Sequence, residues 1–441
     1  MTNTLPPALR LSRKWDDMLG AARPEMQGRL SGVVGLSLHA DGVAAAIGDV
    51  VEVQTSGLPV LAEVVAVRES GLECMPLGDV TGVRAGALVK PTGGPMVIPV
   101  GESLLGRVLD GLGRPMDDGP PLAGVESVGV DGSSPHPLRR ARIDQQLSLG
   151  VRALDALVPC GRGQRLGVFA GSGVGKSSLL SMIARGTEAE VSVIALIGER
   201  GREVREFIEN DLGPEGLARS VVIVATSDEP PLVRLRAAFV ATRIAEYFRD
   251  LGRHVVLMMD SITRFAMAQR EVGLSVGEPP ATRGYPPSVF ALMPKLLERA
   301  GAAERGSITG LYTVLVEGDD MNEPIADTAR SILDGHIVLT RRLATSGHFP
   351  SIDILESVSR VTGAVTTPEQ REDATTLRRI MAAHRDAREL IEIGAYAPGS
   401  NLLVDTALRL NSRIDAFLRQ DIMAITPAEQ AWSWLHDLVA A

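Results

Sequence analysis

The sequence predicts an α/β fold, with a central domain on a mostly parallel sheet, a small β-barrel before it and a helical domain after it. Three observations carry that prediction. Before about residue 92 short β-branched runs alternate with glycines, between 164 and 340 apolar runs alternate with helical stretches, and after about 365 the strands stop. The chain of 441 residues is long enough for two to four domains with buried cores. The expected divisions are 1–27, 28–92, 93–365 and 366–441.

Residues 1–27 form the first part, in which Leu9, Leu11, Trp15, Met18 and Leu19 are interleaved with Arg10, Arg13 and Lys14. This amphipathic pattern suits a helix packed on its own domain as well as one docked on a partner or lipid surface, and we assign it to docking. From 28 onward the runs Val50 to Val53, Val60 to Val67 and Ala87 to Val89 are punctuated by Gly32, Gly42, Gly57 and Gly71. Short strands with tight turns at that spacing predict a barrel. The Gly, Pro and Asp clusters between Asp110 and Pro137 predict loop.

Strands are then expected near 165–170, 191–197, 221–225, 254–259, 308–316 and 336–340. Helices are expected near 177–185, 202–211, 232–250, 288–300 and 325–333. The alternation specifies βαβ crossovers. In the last part, helices are expected over 372–392, 401–419 and 427–439. There Leu403, Ala407, Leu410, Ile414 and Phe417 share one face, as the core of a helical domain would require.

Composition narrows the function classes. Aromatic residues are only 3%, too few for base-stacking platforms, and 45 Lys and Arg against 54 Asp and Glu leave a net charge of −9. No nucleic-acid partner is expected, and any phosphate chemistry must reside in one pocket. Cys74 and Cys160 cannot form a disulfide framework, and the seven histidines show no metal-site spacing. No apolar run approaches the roughly 18 residues of a spanning helix, and a cytoplasmic location is expected.

The strongest chemical signal is A-G-S-G-V-G-K-S at 170–177, directly after one expected strand and before an expected helix. This is the Walker A arrangement in its confirming context. Gly171, Ser172, Gly173, Val174 and Gly175 let backbone N–H groups wrap phosphates at a helix N-terminus. Lys176 reaches the β- and γ-phosphates, Ser177 offers its hydroxyl to Mg²⁺, and Ser178 continues the first turn. Ala170 stands where the motif has its first Gly, which leaves the cradle intact. ATP and Mg²⁺ are the implied ligands. Val255 to Met259 form an apolar strand ending at Asp260, the position of an acid that organises Mg²⁺. The strand Val191 to Ile197 ends in Gly198, Glu199 and Arg200, and a carboxylate there is placed to polarise an attacking water, so Glu199 is the expected catalytic base.

The runs G-S-G-V-G-K-S at 171–177, G-E-R at 198–200, M-D-S-I-T-R-F-A at 259–266 and S-V-S-R at 357–360 resemble the catalytic subunits of rotary ATP synthases and, more closely, the ATPases of type III protein export. The resemblance spans nearly the whole chain. Within that family, G-E-P-P-A-T-R-G-Y-P-P-S-V-F at 277–290 and V-E-G-D-D-M-N-E-P-I-A-D at 316–327 look like the flagellar branch, with Asn322 and the Ala281–Thr282 pair weighing most.

The resemblance implies a RecA-like nucleotide domain in a homohexameric ring that hydrolyses Mg-ATP for export of flagellar proteins. It implies that Arg360 is an arginine finger reaching a neighbour's γ-phosphate, that Arg200 is a second cation near the phosphates, and that Phe349 and Tyr396 flank the adenine. Implied partners are a stator-like regulatory subunit, a coiled-coil stalk protein, the membrane export gate, and export substrates with their chaperones, at the cytoplasmic face of the inner membrane. The rival readings are the ATPase of a virulence injectisome, a rotary ATP synthase subunit and an RNA-translocating hexamer. Glu199 speaks against a noncatalytic ring subunit, and the charge and scarce aromatics speak against the RNA motor.

Overall fold

The structure is a computed structural model that describes residues 27–316, 318 and 320–441. The expected docking segment therefore lies, except for its last residue, outside the described residues. The chain separates into two compact units, one ending at Met96 and one spanning Val97–Ala441.

In the first unit six strands, β1 (Gly28–Val34), β2 (Ser37–Asp41), β3 (Asp49–Val53), β4 (Val60–Arg68), β5 (Gly71–Pro76) and β6 (Leu88–Pro95), close into a barrel in the order β1-β2-β5-β4-β3-β6. Alternate residues point inward, so Leu30, Leu38, Ala40, Val51, Val53, Ala62, Val64 and Val89 fill the interior. Closure pairs β1 with β6 and leaves neither as an open edge.

The second unit is built on one sheet. Its strands are β7 (Val108–Asp110), β8 (Arg165–Ala170), β9 (Val191–Ile197), β10 (Ser220–Ala225), β11 (His254–Asp260), β12 (Ser307–Leu315), β13 (Gly335–Leu339) and β14 (Val358–Ser359). They run in the order β14-β13-β8-β12-β11-β9-β10-β7, with all neighbours parallel except β14 on β13, and a two-residue strand, Gly301–Ala302, lies off this path antiparallel to β12. Every residue of β9 and β10 is buried, as continuous apolar runs require when helices cover both faces. Covering elements include α1 (Lys176–Gly186), α2 (Gly201–Glu206), α3 (Pro231–Asp250), α4 (Ile262–Ser275) and α5 (Pro287–Leu297).

The C-terminal helices α6 (Pro368–Glu392), α7 (Leu402–Leu418) and α8 (Ala428–Ala440) pack into the same core as the sheet. The α7 stripe Ala407, Leu410, Ile414 and Phe417 is buried there, with Leu403 partly so, which settles it as core.

Four local differences from expectation have identifiable causes. The stretch read as loop from Asp110 to Pro137 contributes Asp110 to β7, a three-residue edge strand, and holds a four-residue strand, Glu126–Gly129, paired with Val97–Val100, both too short to show periodicity. Helix α4 was not expected. Its signal is Ser261, whose Oγ accepts from the Arg264 N–H as an N-cap. Helix α6 starts at Pro368 rather than 372 because Thr367 and Gln370 form a reciprocal capping box around a proline at the first position. The helix expected over 202–211 is α-helical only to Glu206 and continues as a π-helical turn over Phe207–Leu212.

Candidate active site

The phosphate loop leaves the carboxyl end of β8, whose Leu166, Val168, Phe169 and Ala170 are buried, and enters α1 at Lys176. Gly175 is the N-cap residue at φ +91°, a conformation glycine adopts without strain, and Gly173 at φ +74° has nothing within 4 Å of where a Cβ would sit. No side chain caps α1, which leaves its first N–H groups without a side-chain partner at the loop. Gly171 is buried beneath it, Ser172 and Ser177 are exposed, and Ser178 is partly so.

Parallel register brings the tips of β8, β9 and β11 together. Lys176 Nζ lies 2.6 Å from Asp260 Oδ1 and 3.5 Å from Glu199 Oε1. Burial works against the Lys176 charge, yet the two carboxylates outweigh it and hold the ammonium above its ordinary pKa. Burial, the negative charge of Asp260 and a hydrogen bond with Glu203 together push the Glu199 carboxyl above the usual carboxylate range, against the pull of Lys176. The site thus holds one firmly charged cation, one acid fixed beside it, and one acid whose proton affinity is raised.

Not every expected site residue joins this cluster. Arg200 points outward and pairs with Glu203 at 3.0 Å. Arg360 follows β14 at the edge of the sheet, where its N–H bonds Asp334 O and its Nη2 donates to Arg330 O at 3.3 Å. Ser359 pairs with Gly335, whereas the phosphate loop adjoins Leu339 at the other end of β13, roughly 13 Å away along the strand. Arg360 is exposed at the opposite end of the sheet from its own chain's loop.

The aromatic pair requires a correction. Phe349 does lie against the loop, since a Cβ on Gly175 would be 3.4 Å from its ring. Phe349 O also accepts from the Gln420 N–H just past the end of α7, while the Tyr396 hydroxyl bonds Asn401 O and Asp405 Oδ1 at the start of α7. Thirteen helical steps of α7 lie between Asp405 and Leu418, about 20 Å, so the anchors of the two residues stand at opposite ends of α7 and the structure does not bring the pair together within a chain. The residues that meet the Phe349 segment are instead Arg419 and Gln420, with Arg419 Nη1 bonding Gly347 O.

Three residues of the site escaped the sequence reading. Thr313 Oγ1 on β12 donates to Asp260 Oδ1 at 2.7 Å. Ser351 Oγ donates to Val174 O at 2.5 Å, and Arg341 Nη2 to Ser172 O at 3.4 Å, so both brace the loop from the segment that carries Phe349. None belongs to a local motif. Only register and chain crossing place them.

Comparison with known proteins agrees with this architecture. The ATP synthase alpha/beta family matches through its beta-barrel domain over residues 30–93 and its nucleotide-binding domain over 150–359, and the T3SS EscN ATPase C-terminal domain matches over 366–437. The flagellum-specific ATP synthase of Bacillus subtilis is 50% identical over 396 residues, 89% of this chain and 90% of that protein. The type 3 secretion system ATPase of Sinorhizobium fredii is 44% identical over 438 residues, 99% of this chain and 97% of that one. The assembled ATPase EscN of the enteropathogenic E. coli type III secretion system aligns with a TM-score of 0.89 and 46% identity, covering 93% of this chain and all of that one, and a second structure holds EscN in complex with its central stalk EscO. The chain belongs to the ATP synthase alpha/beta family, in the branch formed by the flagellum-specific and type III secretion ATPases.

Proposed function

We propose that the chain hydrolyses Mg-ATP in a homohexameric ring and that hydrolysis energises type III export of flagellar proteins. The observation that carries the reading is Lys176, held at the loop tip between a buried acid and an acid of raised proton affinity. On binding, the ammonium exchanges these carboxylates for β- and γ-phosphate oxygens, while the N–H groups at the start of α1 receive the rest of the polyphosphate. Released from Lys176, Glu199 is free to orient a water and take its proton as oxygen attacks the γ-phosphorus and ADP departs. Phe349 offers the adenine one aromatic face.

The donor set fits Mg²⁺. Ser177 Oγ and the Asp260 carboxylate are hard oxygen ligands beside an open loop, and would hold the ion with substrate oxygens and water completing its shell. When bound, Mg²⁺ supplies neutralisation of charge on the phosphate oxygens.

The placement of Arg360 away from its own loop supports a role as finger for a neighbouring subunit, and with it the ring. The exposure of Arg200 beside Glu199 supports a role as a second cation once a neighbour approaches. The EscN–EscO complex supports a coiled-coil stalk partner for this chain. The regulatory subunit, the export gate, substrates with chaperones, and peripheral association with the inner membrane follow from the same family reading. No helix among the described residues is long and apolar enough to cross a membrane.

The test is a deletion strain carrying Glu199→Gln, scored for filaments and motility. Loss of filaments with intact protein levels supports the flagellar reading. Filaments retained alongside lost effector injection would move the chain to the injectisome, a reading favoured by the S. fredii relative.

A further inference from the structure

Asp260 is 3% exposed, and its Oδ1 receives two protons, one from Lys176 Nζ at 2.6 Å and one from Thr313 Oγ1 at 2.7 Å. Thr313 is fully buried on β12, between β8, where it sits opposite Val168, and β11, where Tyr312 pairs with Met259. Its hydroxyl carries a single proton. The alternative acceptor, Met259 O, is 3.3 Å away, so the short bond goes to the carboxylate, which as a charged acceptor makes the stronger one. The two donors differ in what happens when nucleotide arrives. Lys176 moves to the phosphates, whereas Thr313 has no phosphate to turn to and remains on Oδ1.

We propose that Thr313 is a positioning residue for the metal site: its hydroxyl holds the Asp260 carboxylate by Oδ1 after Lys176 has left, keeping Oδ2 available toward the metal and its water shell. This rests on the reading of Asp260 as the acid that organises Mg²⁺. A hydroxyl that merely satisfied a buried carboxylate would affect folding alone. One that orients the carboxylate affects the metal-dependent part of nucleotide affinity.

The test is equilibrium binding of a fluorescent ATP analogue to the full-length protein, titrated with Mg²⁺ and repeated in EDTA. Thr313→Val keeps the shape and removes the proton. It should raise the Mg²⁺ concentration for half-maximal binding about ten-fold while leaving affinity in EDTA within two-fold, and Thr313→Ser should restore the wild-type curve. If Thr313→Val fails to fold, the series Ser, Cys and Ala at 313 should rank in Mg²⁺ requirement by donor strength, with Ala the weakest binder. A Mg²⁺ requirement unchanged across these variants overturns the proposal. Asp260→Asn separates the two readings: if it shifts the Mg²⁺ curve and the Thr313 variants do not, only the Thr313 assignment fails, and if it shifts nothing the metal-site reading itself falls.

Discussion

Arg299 and Lys176 are both cations withdrawn into the unit Val97–Ala441, and their partners differ in kind. Arg299, 2% exposed, makes a two-pronged pair with Glu246 at 2.8 and 2.7 Å and donates its remaining arm to Val130 O at 3.2 Å. Glu246 takes a further bond from Arg243 at 3.2 Å. Such a pair is saturated: planar donors meet a planar acceptor, and any exchange would strand a buried charge. Lys176 is a single rotatable point charge on a glycine loop, with one carboxylate at 2.6 Å and a second only at 3.5 Å. Its partners are replaceable by phosphate oxygens of equal charge. A structural ion pair is closed, and a substrate-binding one is left exchangeable.

Arg360 extends the comparison to an exposed cation, and there the largest effect is expected. If it serves a neighbour's site, Arg360→Ala should lower turnover by about 10³–10⁵ while ATP still binds, at every protein concentration. Specific activity of the wild type should rise steeply with concentration. Mixing Arg360→Ala with Lys176→Ala should restore some activity, because one interface can then pair an intact loop with an intact finger. Flat activity on dilution, with no rescue in a verified mixed ring, would refute the shared site.

Within the exchangeable cluster, Glu199→Gln should reduce kcat by about 10²–10⁴ and leave MgATP affinity within a few-fold, as the amide keeps shape but accepts no proton. Because the Glu199 carboxyl is raised, the acid limb of kcat/KM should fall at a higher pH than an exposed glutamate would give. An unchanged kcat in this variant rejects the assignment.

The two cations should part company on stability. Arg299→Met leaves Glu246 largely unpaired and should cost about 3 kcal/mol in chemical denaturation, with nucleotide affinity near wild type. Lys176→Ala should do the reverse: a smaller loss of Tm, because Thr313 still donates to Asp260 and the repulsion between Asp260 and Glu199 is relieved by the raised proton affinity of Glu199, but nucleotide binding lost. Equal destabilisation by both would erase the distinction between closed and exchangeable pairs.

Asp155 gives the smallest effect and a third kind of buried acid, a carboxyl with no cation paired to it among the described residues. It accepts from Leu149 N–H, Gly150 N–H and Ser148 Oγ, yet burial pushes its carboxyl up to about 7. The folded state therefore holds this proton more tightly than the unfolded chain. Its contribution is fully present below the ordinary carboxylate range and is lost as pH rises toward about 7, above which it no longer changes. Unfolding free energy measured by denaturant titration between pH 4.5 and 8 should decline through that window, and Asp155→Asn should flatten the decline. A slope that persists unaltered in the variant would assign it elsewhere.

The parts of the site legible in the sequence are those written contiguously. The loop at 170–177 carries its own glycines, lysine and hydroxyls, and the apolar strands ending in Glu199 and Asp260 announce acids at strand tips. Helix α6 is legible over 372–392 from its pattern alone, and the capping box of Thr367 and Gln370 around Pro368, equally contiguous, is the signal that reading passes over. The pairing of Phe349 with Tyr396 goes astray because it rests on position within the family resemblance, and position does not say which end of a helix meets the loop.

By itself the sequence determined a barrel, a parallel sheet and a helical end, together with the phosphate loop and its two acids, because hydrophobic period, glycine positions and motif spacing are local properties of the chain. Only the tertiary structure decided that Thr313 and Ser351 tie down Asp260 and the loop, that the α7 residue anchoring Tyr396 stands about 20 Å along the helix from the end that meets Phe349, and that Arg360 faces away from its own site. Those facts depend on the order and register of strands joined by long crossovers, and the energy that sets register comes from burying whole faces together rather than from any short run of residues.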